Sequence, residues 1–336
     1  MLTSTAAQSE RAKRDDAASR PPRSRGLLLS ARQFGTVIGL AALCATLWIL
    51  TPHFLTLSNL LNVAEQTSIN AIVAVGMTFV ILSAGIDLSV GSIVALSGVV
   101  LGTVLQAGQP LAVALPAALA AGFGCGLANG ALISWGRLPP FIVTLGTMSI
   151  ARGAALLVTE GRPISGFDAS FRLLATGRIG FLPAPILVMA LVYLIAHVVL
   201  ARTTFGRYVY AIGGNEEATR LSGVAVRFHK TMVYGVSGLT SAVAAVVLTA
   251  RLNSAQPIAG IMYELDAIAA TVIGGTSLMG GEGTLGGTLV GALIMGVLRN
   301  GLNLLGVSSF LQQIVIGAVI VVAVLLDTVL KRKHRT

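Results

Sequence analysis

The chain has 336 residues, 54% of them apolar and 11% charged, with a formal net charge of +10. A soluble domain carries about 25% charged residues, so this composition excludes an ordinary soluble globular protein. Uncharged runs over 33–64, 66–86, 88–136, 179–201, 231–250 and 300–326 mostly exceed the roughly 18–20 apolar residues that cross a bilayer. Only helices or closed barrels satisfy backbone groups in lipid, and runs this long read as helices. The expectation is an all-α polytopic membrane protein whose partner is the lipid bilayer. A basic balance can also mark nucleic-acid binding. Here aromatic residues are only 5% and the basic residues lie between spans, so no nucleic acid is expected.

In chain order, residues 1–33 read as a disordered basic tail, polar and carrying seven Lys/Arg. The apolar transmembrane region, 34–330, follows, and 331–336 form a second basic tail. Phe34–Leu50 is the first span and lacks the small-residue cleavage site of a secretory signal. Residues 58–66 suggest an interfacial stretch ahead of a span over 67–83. Further spans are expected near 91–107, 111–134, 140–158, 184–201 and 230–250, with Gly108-Gln109-Pro110 as one turn. A short segment over 263–276 precedes spans near 285–300 and 308–330, which makes about ten, some of them discontinuous.

With both termini in the cytoplasm, the cytoplasmic segments hold 17 of the 23 Lys/Arg, the positive-inside bias. Gly122, Gly126 and Gly130 form a ridge along one span, with like spacings at Gly98/Gly102 and Gly287/Gly291. Small residues so spaced let helices approach closely, and packing within one subunit is the favoured use. Ser83–Leu105 and Ile273–Leu298 echo each other, each a polar, Gly-rich break followed by a helix rich in small residues.

No lysine follows a glycine, so the chain lacks the G-x-x-x-x-G-K-[ST] phosphate loop and has no recognisable ATPase site. Gly235-Val236-Ser237-Gly238 resembles an intramembrane serine protease motif, but no histidine is placed to serve as its base. No HExxH and no Cys/His cluster suggests a metal. His197 reads as a hydrogen-bonded packing residue, and Arg152 and Arg299 as snorkelling cations near span ends. Asp87, in Gly85-Ile86-Asp87-Leu88-Ser89-Val90-Gly91, interrupts an apolar run. Two compatible roles stand: Asp87 and Ser89 cap a broken helix, and the break lines the solute path. A second irregular region runs Gly274-Gly275-Thr276-Ser277 to Gly283, with Thr276 and Ser277 as its path candidates.

The loop 202–230 contains Asn215-Glu216-Glu217-Ala218-Thr219-Arg220-Leu221-Ser222-Gly223. Asn215 can cap a short helix, the two glutamates suit its N-terminal end and Gly223 can stop it. This segment resembles the EAA-x-x-x-G coupling loop of ABC importer permeases, with Thr219 in place of the second Ala. The Gly85–Gly91 motif looks like the signature of the monosaccharide branch. Ala250–Pro257, Tyr263–Ala270, Gly274–Ser277 and Asn300–Val307 are similar to ribose importer permeases.

The resemblance implies a multi-pass inner-membrane permease, without an ATPase site or cofactor of its own, working as two copies. A periplasmic sugar-binding protein would deliver the cargo, and a cytoplasmic ABC ATPase would bind ATP and Mg. Glu216, Glu217, Ala218, Thr219 and Gly223 would couple to that ATPase. An ion-driven secondary transporter of a small polar solute is the competing reading. It would need a titratable group on the path, for which Asp87 is the candidate.

Overall fold

A computed structural model describes residues 24–333. The basic segments 1–23 and 334–336 lie outside the described residues, so the expected disordered tail is represented only by its last ten positions, which begin the first helix.

Thirteen helices occur, in chain order, among the described residues. They are α1 (Ser24–Leu50), α2 (Leu57–Leu82), α3 (Val90–Gln106), α4 (Leu111–Ser134), α5 (Pro140–Thr159), α6 (Ala169–Thr176) and α7 (Ala184–Arg202). The chain continues through α8 (Thr204–Gly214), α9 (Glu216–Leu221), α10 (Val226–Leu252), α11 (Tyr263–Ile273), α12 (Leu285–Leu304) and α13 (Ser309–Lys333). Two pairs of two-residue strands complete the described secondary structure. Ile164–Ser165 pairs antiparallel with Ser254–Ala255, and Arg178–Ile179 with Leu182–Pro183.

Among the described residues, six helices (α2, α4, α5, α7, α10 and α12) are long and apolar enough to cross a membrane by length and composition. Phe34–Leu50, Val90–Gln106 and Ser309–Val322 are shorter apolar helices. The expected interfacial stretch over 58–66 is not separate. Thr56 caps α2 by accepting from the Asn59 amide, and the helix runs unbroken to Leu82. The polar side chains that suggested an interface instead occupy one face of a continuous helix.

The core lies where α2 and α10 cross. The apolar second half of α2 is buried on all sides, from Ala71 to Leu82. Around this pair pack α3 and α4 on the α10 side and α7, α11 and α12 on the α2 side. The glycine ridge of α4 fits directly onto α10: side chains at Gly122, Gly126 and Gly130 would strike the backbone of Gly238, Tyr234 and Thr231. Packing within the subunit is therefore what these glycines serve. Gly98 likewise faces Thr249, Gly287 faces Gly274 and Gly291 faces Ala270.

Three side chains depart from expectation; Arg299, the first, pairs with the buried Asp266 at 2.8 Å. Arg152 does not snorkel; its guanidinium donates to the carbonyls of Pro257 and Ala259 at 2.8 and 2.6 Å, holding α5 against the loop after α10. His197 is exposed on α7 and makes no hydrogen bond among the described residues, because the neighbouring positions Tyr193, Ala196 and Leu200 take the packed face.

Candidate functional site

Both expected breaks are present. The first, residues 83–89, separates α2 from α3; the second, residues 274–284, separates α11 from α12. Each follows a helix whose last carbonyls lack intrahelical partners. One of these needs is met across the two breaks: the Gly281 amide in the second break donates to the Leu82 carbonyl at the end of α2, at 2.9 Å. Gly280 lies against Ala84. One helical turn into the bundle, the hydroxyls of Thr78 and Thr288 meet at 2.8 Å. The two breaks are a single junction.

Asp87 is fully buried in the first break. A buried carboxylate is costly unless hydrogen-bonded, and both oxygens are engaged here. Oδ1 accepts from the Ser89 amide at 2.9 Å and the Ser89 hydroxyl at 2.6 Å. Oδ2 accepts from the Ser237 hydroxyl of α10 at 2.8 Å. Ser89 in turn accepts from Asn129 Nδ2 of α4 at 2.9 Å, and Asn129 Oδ1 accepts from Thr147 of α5 at 2.6 Å. The polar chain thus runs from α10 through the break to α4 and α5. Ser89 makes no side-chain cap to α3; Asp87 caps the turn before the helix.

Thr276 and Ser277 sit in the second break and are also buried. Thr276 Oγ1 has no hydrogen-bond partner among the described residues. The Ser277 amide donates to the Glu282 carbonyl, and its hydroxyl accepts from the Met279 amide. Asp87, Ser89, Thr276 and Ser277 thus fall into two pairs, one in each break, all closed to solvent.

The loop 202–230 folds as α8 and α9. Asn215 Oδ1 accepts from the Ala218 amide at 2.9 Å, as expected of a cap. Gly223 ends the unit with a φ of 84°, which favours glycine. Glu216, Glu217, Ala218 and Leu221 are exposed, Leu221 at 78%, whereas Thr219 turns inward and donates to the Asn215 carbonyl. Glu217 pairs with Arg220 at 2.6 Å and holds that guanidinium above its usual range by hydrogen bond and charge. Glu216 accepts from Lys230 of α10 at 3.0 Å.

α8 meets the junction of the two breaks. Tyr210 donates to the Gly283 carbonyl at 2.8 Å, and burial keeps its phenol above the usual range, so it remains a donor. A side chain at Gly213 would strike the Leu82 carbonyl and crowd the Gly281 amide. Ser237, Asn129, Tyr210 and Gly213 escape sequence reasoning as a group. Each is a small or polar residue in an apolar or loop context, and only their spatial convergence distinguishes them.

The profile of the family described as "branched-chain amino acid transport system / permease component" matches residues 59–324. The chain belongs to this permease family. The permease is 48% identical over 310 residues to the ribose import permease protein RbsC of Haemophilus influenzae, covering 91% of this chain and 95% of that protein. It is 50% identical over 298 residues to RbsC of Bacillus subtilis, covering 88% and 92%. Against the L-arabinose transport system permease protein AraH of Escherichia coli it is 39% identical over 304 residues, covering 90% and 93%. No solved structure matches. The permease is a multi-pass membrane protein and a transport component.

Proposed function

We propose that the chain is the inner-membrane permease subunit of an ATP-driven importer for ribose or a closely related monosaccharide. The observation that carries this reading is the 48–50% identity to ribose import permeases along nearly the whole chain. Identity to the arabinose permease is lower, at 39%, which favours ribose.

In this reading two copies form the pathway, a periplasmic binding protein delivers the sugar, and a cytoplasmic ABC ATPase binds ATP and Mg. The six long helices, three shorter apolar helices and the half-length α11 supply ten crossings or part-crossings. Both termini, α8 and α9 lie in the cytoplasm, in keeping with the Lys/Arg distribution.

Glu216, Glu217, Ala218, Thr219 and Gly223 form the coupling unit, with Leu221 as its exposed apolar contact for the ATPase. Movement of α9 reaches α10 through Glu216–Lys230 and the second break through α8, by way of Gly213 and Tyr210. Asp87, Ser89, Thr276 and Ser277 then act as the inner closure of the path, buried in this state and uncovered when the two breaks part. Such a step is a rigid-body shift of packed helices. An ion-driven secondary transporter would leave the exposed face of α9 without a use.

The test is affinity purification of the tagged chain in mild detergent with its genomic neighbours co-expressed. A stoichiometric ATPase that is lost on Gly223→Trp supports the importer and its coupling unit. A permease purified free of any ATPase, where comparable complexes survive, overturns it.

A further inference from the structure

The first half of α2 carries polar side chains that lipid cannot host. Asn62, Gln66 and Asn70 recur at every fourth position, with Glu65 beside them, so they share one face over about 12 Å. Asn62 is exposed and the other three are only part-buried. Gln66 donates to Asn62 at 3.0 Å. Among the described residues the Glu65 carboxylate has no partner. A helix of 26 residues is about 39 Å long against a hydrocarbon core of about 30 Å. Centred along the membrane normal, α2 would place Glu65 several ångströms inside the core and Asn70 near its middle. An unpaired carboxylate and a row of amides at that depth must face water or protein.

What surrounds the stripe indicates which. At its outer end lies a cleft of about 420 Å³ lined by Leu57, Ser58, Leu61, Asn62, Glu65 and Arg178, within the size range of small-molecule sites. At its inner end Asn70 Nδ2 donates to Asp266 Oδ2 at 3.2 Å, and Arg299 of α12 grips both oxygens of Asp266 at 3.0 and 2.8 Å. Among the described residues, Asn70 Oδ1 and Thr67 Oγ1, both enclosed, have no partner. The stripe therefore has an open cleft at one end and, at the other, an amide oxygen of Asn70 with unused hydrogen-bonding capacity among the described residues.

We propose that this face of α2, from Asn62 to Asn70 with Glu65 and Gln66, is the solute-contacting wall of the outer half of the pathway, and that its ligand is a neutral polyol. The inference rests on the reading of the chain as a monosaccharide permease. Amides both donate and accept, and a carboxylate accepts from hydroxyls. This combination matches sugar hydroxyls, which are themselves donors and acceptors. Leu57 and Leu61 in the same cleft offer apolar surface to the C–H face of a sugar ring.

The test uses the full complex, with its ATPase and binding protein, in proteoliposomes. Cys44 and Cys125 are replaced by Ser, and Asn62→Cys, Gln66→Cys and the outward-facing control Leu60→Cys are made singly. The probe is a cationic, membrane-impermeant methanethiosulfonate added from the binding-protein side. Labelling at positions 62 and 66 is expected at least tenfold faster than at 60. Modification at 66 is expected to cut ribose uptake at least tenfold. Labelling no faster than at 60, or a disulfide between copies at 66 in place of labelling, would overturn the proposal in favour of a face buried against the second copy. Rapid labelling that leaves uptake unchanged would also overturn it. Ribose uptake by the unsubstituted complex is scored separately: its absence would sink the functional reading, whereas normal uptake with an inert stripe would sink only this inference.

Discussion

The Ser237 hydroxyl donates to the buried Asp87 carboxylate at 2.8 Å across 150 positions of sequence. It fastens the middle of α10 to the break between α2 and α3, so the break cannot open without either carrying α10 along or leaving a charge unmet. Ser237→Ala removes a hydrogen bond to a charged group, which is worth about 1.5–3 kcal/mol. Thermal unfolding of the purified permease in detergent should reveal a lower midpoint. Asp87→Ala should be worse, since it strands the donors of Ser89 and Ser237; a variant with unchanged stability and uptake would remove Asp87 from the site.

Gly223 adopts a φ of 84°, yet a Cβ there would meet nothing within 4 Å. Its requirement is conformational, not spatial. Gly223→Val should therefore insert normally but distort the end of the proposed coupling unit, at about 1–2 kcal/mol of local strain. Gly223→Asn should be tolerated, because Asn enters the left-handed region more readily. The check is the ratio of sugar taken up to ATP hydrolysed in the reconstituted complex. Normal ratios for both variants would detach Gly223 from coupling.

Gly213 presents the opposite case, a position where space decides. Even a methyl group would press on the Leu82 carbonyl and the Gly281 amide. Gly213→Val should force α8 away from the junction and abolish uptake while ATP hydrolysis continues. Tyr210→Phe, which loses only the bond to Gly283, should cost about 0.5–1.5 kcal/mol and weaken coupling by a smaller factor. Parallel uptake and hydrolysis assays separate the two outcomes.

Arg299 and Asp266 form an ion pair in which Asp266 is 3% exposed and Arg299 41%. Removing one partner of a buried pair typically costs about 3–5 kcal/mol, and the exposure of Arg299 places this pair toward the lower end. Arg299→Gln should lower the detergent melting midpoint clearly. Adding Asp266→Asn should restore part of the loss, because no unpaired charge then remains. A double variant less stable than the single one would contradict this account.

Much of this architecture is legible in the sequence because membrane spans announce themselves by missing charge. The limits of α4, α5 and α7 fall within a residue or two of those expected from charge gaps, Pro110 and Pro140. The cap at Asn215 and the stop at Gly223 follow from local chemistry alone. Less visible was the entry into α2, where Asn62, Glu65 and Gln66 dilute the apolar signal; a one-sided polar stripe looks like an interfacial segment until its neighbours are known. The Asp87 cluster was half visible. Asp87 and Ser89 stand out, but their partners Ser237 and Asn129 lie 150 and 40 residues away, and no local pattern links residues so distant. The meeting of the two breaks at Leu82 and Gly281 uses backbone atoms, which carry no residue-type signature.

Along its glycine ridge α4 brings its main chain against that of α10, with Phe123 and Leu127 packed beside the ridge over Gly235. From Gly122 against Gly238 to Gly130 against Thr231, main chain rests on main chain. Side chains exchange rotamers at little cost, whereas close-packed backbones have almost no slack. α4 and α10 should accordingly travel as one stiff strut. Any shearing during a transport stroke is then left to seams lined by larger residues, and the strut carries displacement from the Lys230 end of α10 to its far end with little loss along the way.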